Sequence, residues 1–171
     1  DIPLIGIDHL QGHLLAAELE HDILWPALGV LISGGHTHLY RMEGPVDMTV
    51  LGKTIDDAAG EACDKFAKAA GLPYPGGALL DALGKRGHAD PHLFPRPYTH
   101  NDNLDFSFSG LKTAGALWLS QHADAHFPPG DTPARERLDS ASQTLCDAAA
   151  SYLLAVAETL TIKAERAMAL F

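Results

Sequence analysis

Two histidines, His9 and His13, stand four residues apart in DHLQGHLLAAELE, residues 8–20. On a helix, positions i and i+4 project from one side with Cβ atoms about 5–6 Å apart. Two imidazole nitrogens so placed can reach a single metal ion, as in H-E-x-x-H proteases. They can equally be two polar residues on the first turn of an exposed helix. The glutamate of H-E-x-x-H is missing, because Leu10 and Gln11 stand between the histidines. A general base of the zinc-protease type is therefore not where that chemistry needs it.

Three other stretches hold residues capable of chemistry. In LISGGHTH (31–38) a Gly-Gly pair joins two apolar runs. It can be a plain turn, or it can let backbone N–H groups approach a phosphate that a Cβ would keep away. Asp57, Glu61, Asp64 and Lys68 are spaced to share one helical face. That face is either solvated or turned to a cleft, where its carboxylates could accept hydrogen bonds from ribose hydroxyls. PYPGG (73–77) and Asp81 follow and bring a second glycine turn close by. SFSGLK offers Ser107, Ser109 and Lys112. Ser109 reads as a helix N-cap rather than a nucleophile, since the spacing sets no histidine base beside it.

These residues must be held by elements legible in the hydrophobic pattern. IPLIGI (2–7) reads as a buried strand. Asp8 and Gln11 then form a capping-box pattern that opens the histidine helix. ALGVLIS (27–33), HTHLYRM (36–42) and MTVLGKT (48–54) read as a three-strand meander, with a hairpin at Gly34-Gly35. His36, His38 and Tyr40 fall on one side of the second strand, Thr37 and Leu39 on the other. Asp56-Asp57 are expected to open a helix whose apolar stripe runs through Ile55, Ala59, Ala62, Phe66 and Ala69 or Ala70. Gly71 caps it and Pro73 stops it. A short helix is expected at 78–85, an irregular loop at 86–105 and a helix following LDFSFSGLKTA through Leu117 and Trp118. After a second loop at 123–133, a helical period runs from about Ala134 to the end: Leu138, Ala141, Leu145, Ala148, Tyr152, Val156, Leu160. Strand and helix in this order make a mixed α/β layer.

At 171 residues the chain can bury one core, and 46% apolar with 20% charged residues is ordinary for a globular domain. No run of 18 apolar residues occurs, so no membrane span is expected. Cys63 and Cys146 fall on apolar helical faces and read as buried free thiols, which suits a reducing cytosol. The net charge of −10 means that a nucleic-acid partner would need basic surface from elsewhere. The chain has no initiator Met and begins on a strand-like run, so a segment of a longer protein is expected.

Taken together and in order, HLQGHLLA, LISGGHTHLY, LGKTIDDAAGEACDKFAKAAGLPYPGG and LDFSFSGLKTA resemble the tRNA N6-adenosine threonylcarbamoyltransferase family, formerly called O-sialoglycoprotein endopeptidase or glycoprotease. The resemblance runs over nearly the whole chain. It implies an actin-like ATPase fold, with ribonuclease-H-like sheets in two lobes that close over a nucleotide. Residues 1–25 would be a remnant of the N-terminal lobe carrying the metal helix, and 26–171 an incomplete second lobe. It implies that His9 and His13 bind iron or zinc, that Leu31, Ile32, Ser33, Gly34 and Gly35 line the substrate site, and that Asp64, Gly77 and Asp81 contact the nucleoside part of the substrate. The implied reaction moves a threonylcarbamoyl group from threonylcarbamoyl-AMP to the exocyclic amine of the adenosine beside the anticodon, in tRNAs reading codons that start with A. Implied partners are tRNA, a family paralogue and ATPase subunits in a cytoplasmic complex, with no membrane involved.

Two departures from the family pattern stand out. Asp8 replaces the more usual His or Asn. The chain is also about half the family's length, without the later block that carries a nucleotide-binding Asn and a further metal-binding Asp. A metallopeptidase, or a silent binding module like the family's shorter paralogue, are the alternative readings. The first needs a base beside the histidines; the second is disfavoured by the histidines themselves.

Overall fold

The computed structural model describes residues 2–4 and 6–171. Three strands, β1 (Ala27–Ile32), β2 (Thr37–Gly44) and β3 (Asp47–Lys53), form an antiparallel meander in the order β1-β2-β3. The β1–β2 register pairs Leu31 with His38 and Ile32 with Thr37, so the Gly34-Gly35 hairpin lies where the sequence puts it. Alternation along β2 sends Thr37 and Leu39 inward, both fully buried, and sets His38 and Tyr40 on the opposite face.

Each face of the sheet meets different helices. Helix α1 (His9–Leu15) is capped by Asp8, whose Oδ1 accepts from Leu10 N and Gln11 N, both at 2.9 Å. Its Leu10 and Leu14 pack on Leu31, Tyr40 and Met42 in a small separate core. The larger core lies beyond Leu39 and is built by α2 (Ala59–Ala69), α3 (Gly77–Gly84), α4 (Ser109–Gln121) and α5 (Gln143–Met168). At its centre Phe66 of α2 stacks on Tyr152 of α5 at 4.1 Å between centroids, with Phe94 edge-on to both. Among the described residues α5 alone is long and apolar enough to cross a bilayer, but half of that stretch is buried in the core.

The irregular segment 86–105 is tied to α5 by side chains. Lys163 is completely buried, and its Nζ donates to Asn101 Oδ1 at 2.6 Å and Asn103 O at 2.7 Å. Ser151 Oγ accepts from Asp90 N, and Asp147 Oδ1 from His88 N.

Several expectations are corrected. The run 2–7 is not a strand in its described residues: Ile2, Leu4 and Ile7 are 81% exposed or more and no strand lies beside them, while Ile5 lies outside the described residues. Helix α2 begins at Ala59, because Asp56 and Asp57 make contacts elsewhere, and Ile55 is exposed rather than part of the stripe. Residues Ala134–Ser140 form a 3-10 helix, Ala141 is extended, and the long helix starts only after Ser142, whose Oγ accepts from Leu145 N.

Candidate active-site cleft

The site is organised around α2. The hairpin turn Ser33–His36 rests on the start of this helix, where Gly60 N donates to Ser33 O at 3.2 Å. Within the turn, Ser33 Oγ accepts from Gly35 N at 3.3 Å and His36 N at 3.0 Å. Those two amides are therefore spent on shaping the turn. Gly34 N–H is left without an acceptor among the described residues, and Gly34 borders the cleft.

One helical turn beyond Gly60, Asp64 meets the second glycine turn. Its Oδ1 accepts from Gly76 N at 2.9 Å and Gly77 N at 2.8 Å, while no protein donor reaches Oδ2 among the described residues. Between the two turns opens a cleft of ≈ 400 Å³ lined by Gly34, Glu61, Asp64, Lys65, Lys68 and Tyr74. Lys68 makes no ion pair among the described residues, whereas Lys65 binds both Asp57 and Glu61. These carboxylates push the Lys65 ammonium above its ordinary pKa.

Other sequence-predicted residues stand apart from the cleft. Leu31 is buried against α1, and its neighbour Ile32 points to the opposite face of β1 and is half exposed, so the two side chains cannot line one surface. Asp81 lies on α3 and pairs with Lys85 at 2.7 Å. Gly77 joins the site through its amide on Asp64.

His9 and His13 sit on the exposed first turns of α1, beside Ile7, Asp8 and Gly12. Their Nε2 atoms stand 3.2 Å apart. Two nitrogens bound to one zinc ion at about 2.0–2.1 Å with tetrahedral angles would stand about 3.3–3.4 Å apart, so the pair fits two ligands of one ion. Among the described residues no third His, Cys, Asp or Glu joins them. Asp8 is occupied as the helix cap. His13 also borders an apolar groove with Leu31, which puts the pair near the strand that leads into the hairpin turn.

The family model described as tRNA N6-adenosine threonylcarbamoyltransferase matches residues 1–171. The chain is 58% identical over 98% of its length to the protein of that name from Nitratidesulfovibrio vulgaris strain DP4, covering 46% of that relative. It is 53% identical over 96% of its length to the one from Lawsonia intracellularis, covering 46%, and 47% identical over 98% to that from Trichlorobacter lovleyi, covering 45%. The chain belongs to the tRNA N6-adenosine threonylcarbamoyltransferase family. It spans about half the length of these curated relatives.

In this chain, sequence reasoning missed what Asp56 and Asp57 do. Asp56 reaches across more than fifty residues to accept from Phe108 N at 2.8 Å and Ser107 Oγ at 2.5 Å. It thereby serves the start of α4, a role expected of Ser109, which is instead the helix's first residue. Burial pushes the Asp56 carboxyl up, but its donors Ser107 and Phe108 outweigh this and hold it below the ordinary value. Asp57 meets Lys112 at 2.8 Å and Lys65 at 2.5 Å, and these ammonium groups likewise overcome burial to hold its carboxyl low. The signal in the sequence was the co-occurrence of TIDD and SFSGLK, two blocks that the fold fastens together.

Proposed function

We propose that this chain is part of an enzyme that transfers the threonylcarbamoyl group from threonylcarbamoyl-AMP to the N6 amine of the adenosine beside the anticodon, in tRNAs reading codons that start with A. The observation that carries the reading is one cleft flanked by two glycine turns, with an Asp64 carboxylate oxygen left open, in a chain of this family. The fold we assign is that of the actin-like ATPases, with residues 26–171 belonging to the second lobe and residues 1–25 to the first.

In the transfer, the adenine amine attacks the carbamoyl carbon, a C–N bond forms, the bond to the phosphate oxygen breaks, and AMP leaves as the amine loses a proton. The amine is a weak nucleophile, so positioning the adenylate matters most. Asp64 Oδ2 is placed to accept from ribose hydroxyls while Oδ1 holds the Gly76-Gly77 turn. Gly34 N–H is the turn amide free to donate to the phosphate or carbamoyl oxygens. Lys68 adds positive charge at the cleft wall. Leu31, Ile32, Ser33 and Gly35 then act by shaping the hairpin rather than by lining the cleft, and Gly77 acts at the nucleoside end through its amide on Asp64. Asp81 would contact the nucleoside only on leaving its pair with Lys85. His9 and His13 would hold one divalent iron or zinc ion, which when bound supplies Lewis-acid polarisation of the donor's oxygens.

With a net charge of −10, tRNA binding requires cationic surface from partners, which we assign to a family paralogue and ATPase subunits in a cytoplasmic complex. The alternative of peptide cleavage lacks support, since Asp8, the carboxylate beside the two histidines, is taken up as the cap of α1.

The test is transfer of label from threonyl-labelled threonylcarbamoyl-AMP into tRNA by the full-length enzyme and its partner subunits. Label in tRNA, lost when adenosine beside the anticodon is replaced by guanosine, is the expected result. Free labelled hydrolysis product with none in tRNA overturns the reading.

A further inference from the structure

Gly60, Asp64 and Ala67 recur at i, i+4 and i+7, so they form one stripe along α2. Each touches a glycine turn. A Cβ at Gly60 would stand 2.7 Å from Ser33 O and 2.9 Å from Gly34 Cα, both backbone atoms. Asp64 Oδ1 holds the Gly76 and Gly77 amides. Ala67 lies directly beneath Gly76, where an added Cβ would come within 2.4 Å of the Ala67 Cβ. Both turns are thus seated closer to the helix than any side chain between them would permit. The helix is rigid on the scale of one turn, so the stripe fixes how far apart the two turns stand across the cleft.

We infer that the Gly60–Asp64–Ala67 stripe of α2 is the positioning template for the adenylate, with Gly60 and Gly76 as positioning residues that set the cleft's span. This rests on the proposed function for its substrate. Neither glycine need touch the ligand. Gly76 has φ −94° and ψ −16°, which any residue adopts, so what demands glycine there is the approach to Ala67 rather than backbone conformation.

That geometry supplies a rescue. Gly76→Ala places a methyl against Ala67, and adding Ala67→Gly removes that obstacle and leaves Pro73 O, at 3.3 Å, as the nearest atom. In the full-length enzyme with its partners, Gly76→Ala should raise the KM for threonylcarbamoyl-AMP roughly tenfold, the order of one charge-assisted hydrogen bond. The KM for tRNA should stay unchanged. Ala67→Gly/Gly76→Ala should return the adenylate KM towards wild type even though its helical glycine lowers the melting temperature. Gly60→Ala should raise the same KM, and no side-chain swap relieves it, because its obstacle is backbone. Amide hydrogen exchange reads the same geometry without substrate: Gly77 should lose protection in Gly76→Ala and regain it in the double variant. If Gly76→Ala does not fold, Gly60→Ala and the double variant carry the comparison.

Failure of the wild-type enzyme to modify tRNA would count against the proposed function and leave the exchange test standing. A lower melting temperature with adenylate KM and Gly77 protection unchanged would overturn the inference, as would a double variant that does not recover.

Discussion

At the residue scale, Asp64 carries two loads on one carboxylate. Oδ1 is committed to the Gly76 and Gly77 amides, Oδ2 has no protein donor among the described residues, and Asp64 lines the cleft. Asp64→Ala removes both, so it should weaken adenine-nucleotide binding by about 1.5–3 kcal/mol, roughly 10- to 150-fold. Asp64→Asn keeps an amide oxygen for the turn and should fall between wild type and alanine. Calorimetric titration of the two variants checks this order; equal losses would mean that the turn contact contributes nothing. The histidines invite a separate measurement. With Nε2 atoms 3.2 Å apart, His9→Ala/His13→Ala should abolish stoichiometric iron or zinc in the full-length protein, read by elemental analysis. Retained metal would remove the pair from the site. His9, His13, Asp64 and the glycines were all legible in the sequence as candidates. What spacing could not reveal was that Ser33 Oγ already takes two of the turn amides and that Asp64 takes two more.

At the element scale, the meander and the core helices followed directly from period-2 and period-3.6 patterning, because their apolar faces are buried against one another. The errors came where an apolar run lacks a partner, as at Ile2, Leu4 and Ile7, or where a side chain acts over a long sequence separation. Asp56 and Asp57 looked like helix openers because acidic residues favour N-termini. Their partners Ser107, Phe108, Lys65 and Lys112 are invisible to local pattern. Removing Asp56 leaves Phe108 N and Ser107 without their acceptor, so Asp56→Ala should destabilise the chain by about 2–3 kcal/mol in chemical denaturation. Both carboxyls are held below their ordinary value of 3.8. The unfolded chain therefore binds more protons than the folded one, and stability falls as pH drops. The contribution is complete above about pH 5 and is lost as pH falls through the lowered folded values. Asp56→Asn should flatten the acid limb of the stability–pH curve; an unaltered limb would show that other groups set it.

At the scale of the whole molecule, a net charge of −10 and a histidine pair with no third donor among the described residues set limits on what this segment does alone. Neutral imidazoles leave a dication uncompensated, and the N-terminal end of α1 disfavours positive charge. The isolated 171-residue chain is expected to bind metal weakly, to bind tRNA weakly or not at all in gel-shift titrations at physiological salt, and to show no turnover. Robust turnover by the segment alone would mean that the essential groups have been placed wrongly. The central claim is that the cleft between the two glycine turns presents an adenylated threonylcarbamoyl donor to a tRNA adenosine. The most direct measurement is mass spectrometry of nucleosides from tRNA incubated with threonylcarbamoyl-AMP and the full-length enzyme with its partners, wild type beside Asp64→Ala. The account predicts threonylcarbamoyl-modified adenosine next to the anticodon with wild type and, at donor concentrations below the wild-type KM, at least a tenfold lower rate with Asp64→Ala. Equal rates from the two proteins under those conditions would contradict it.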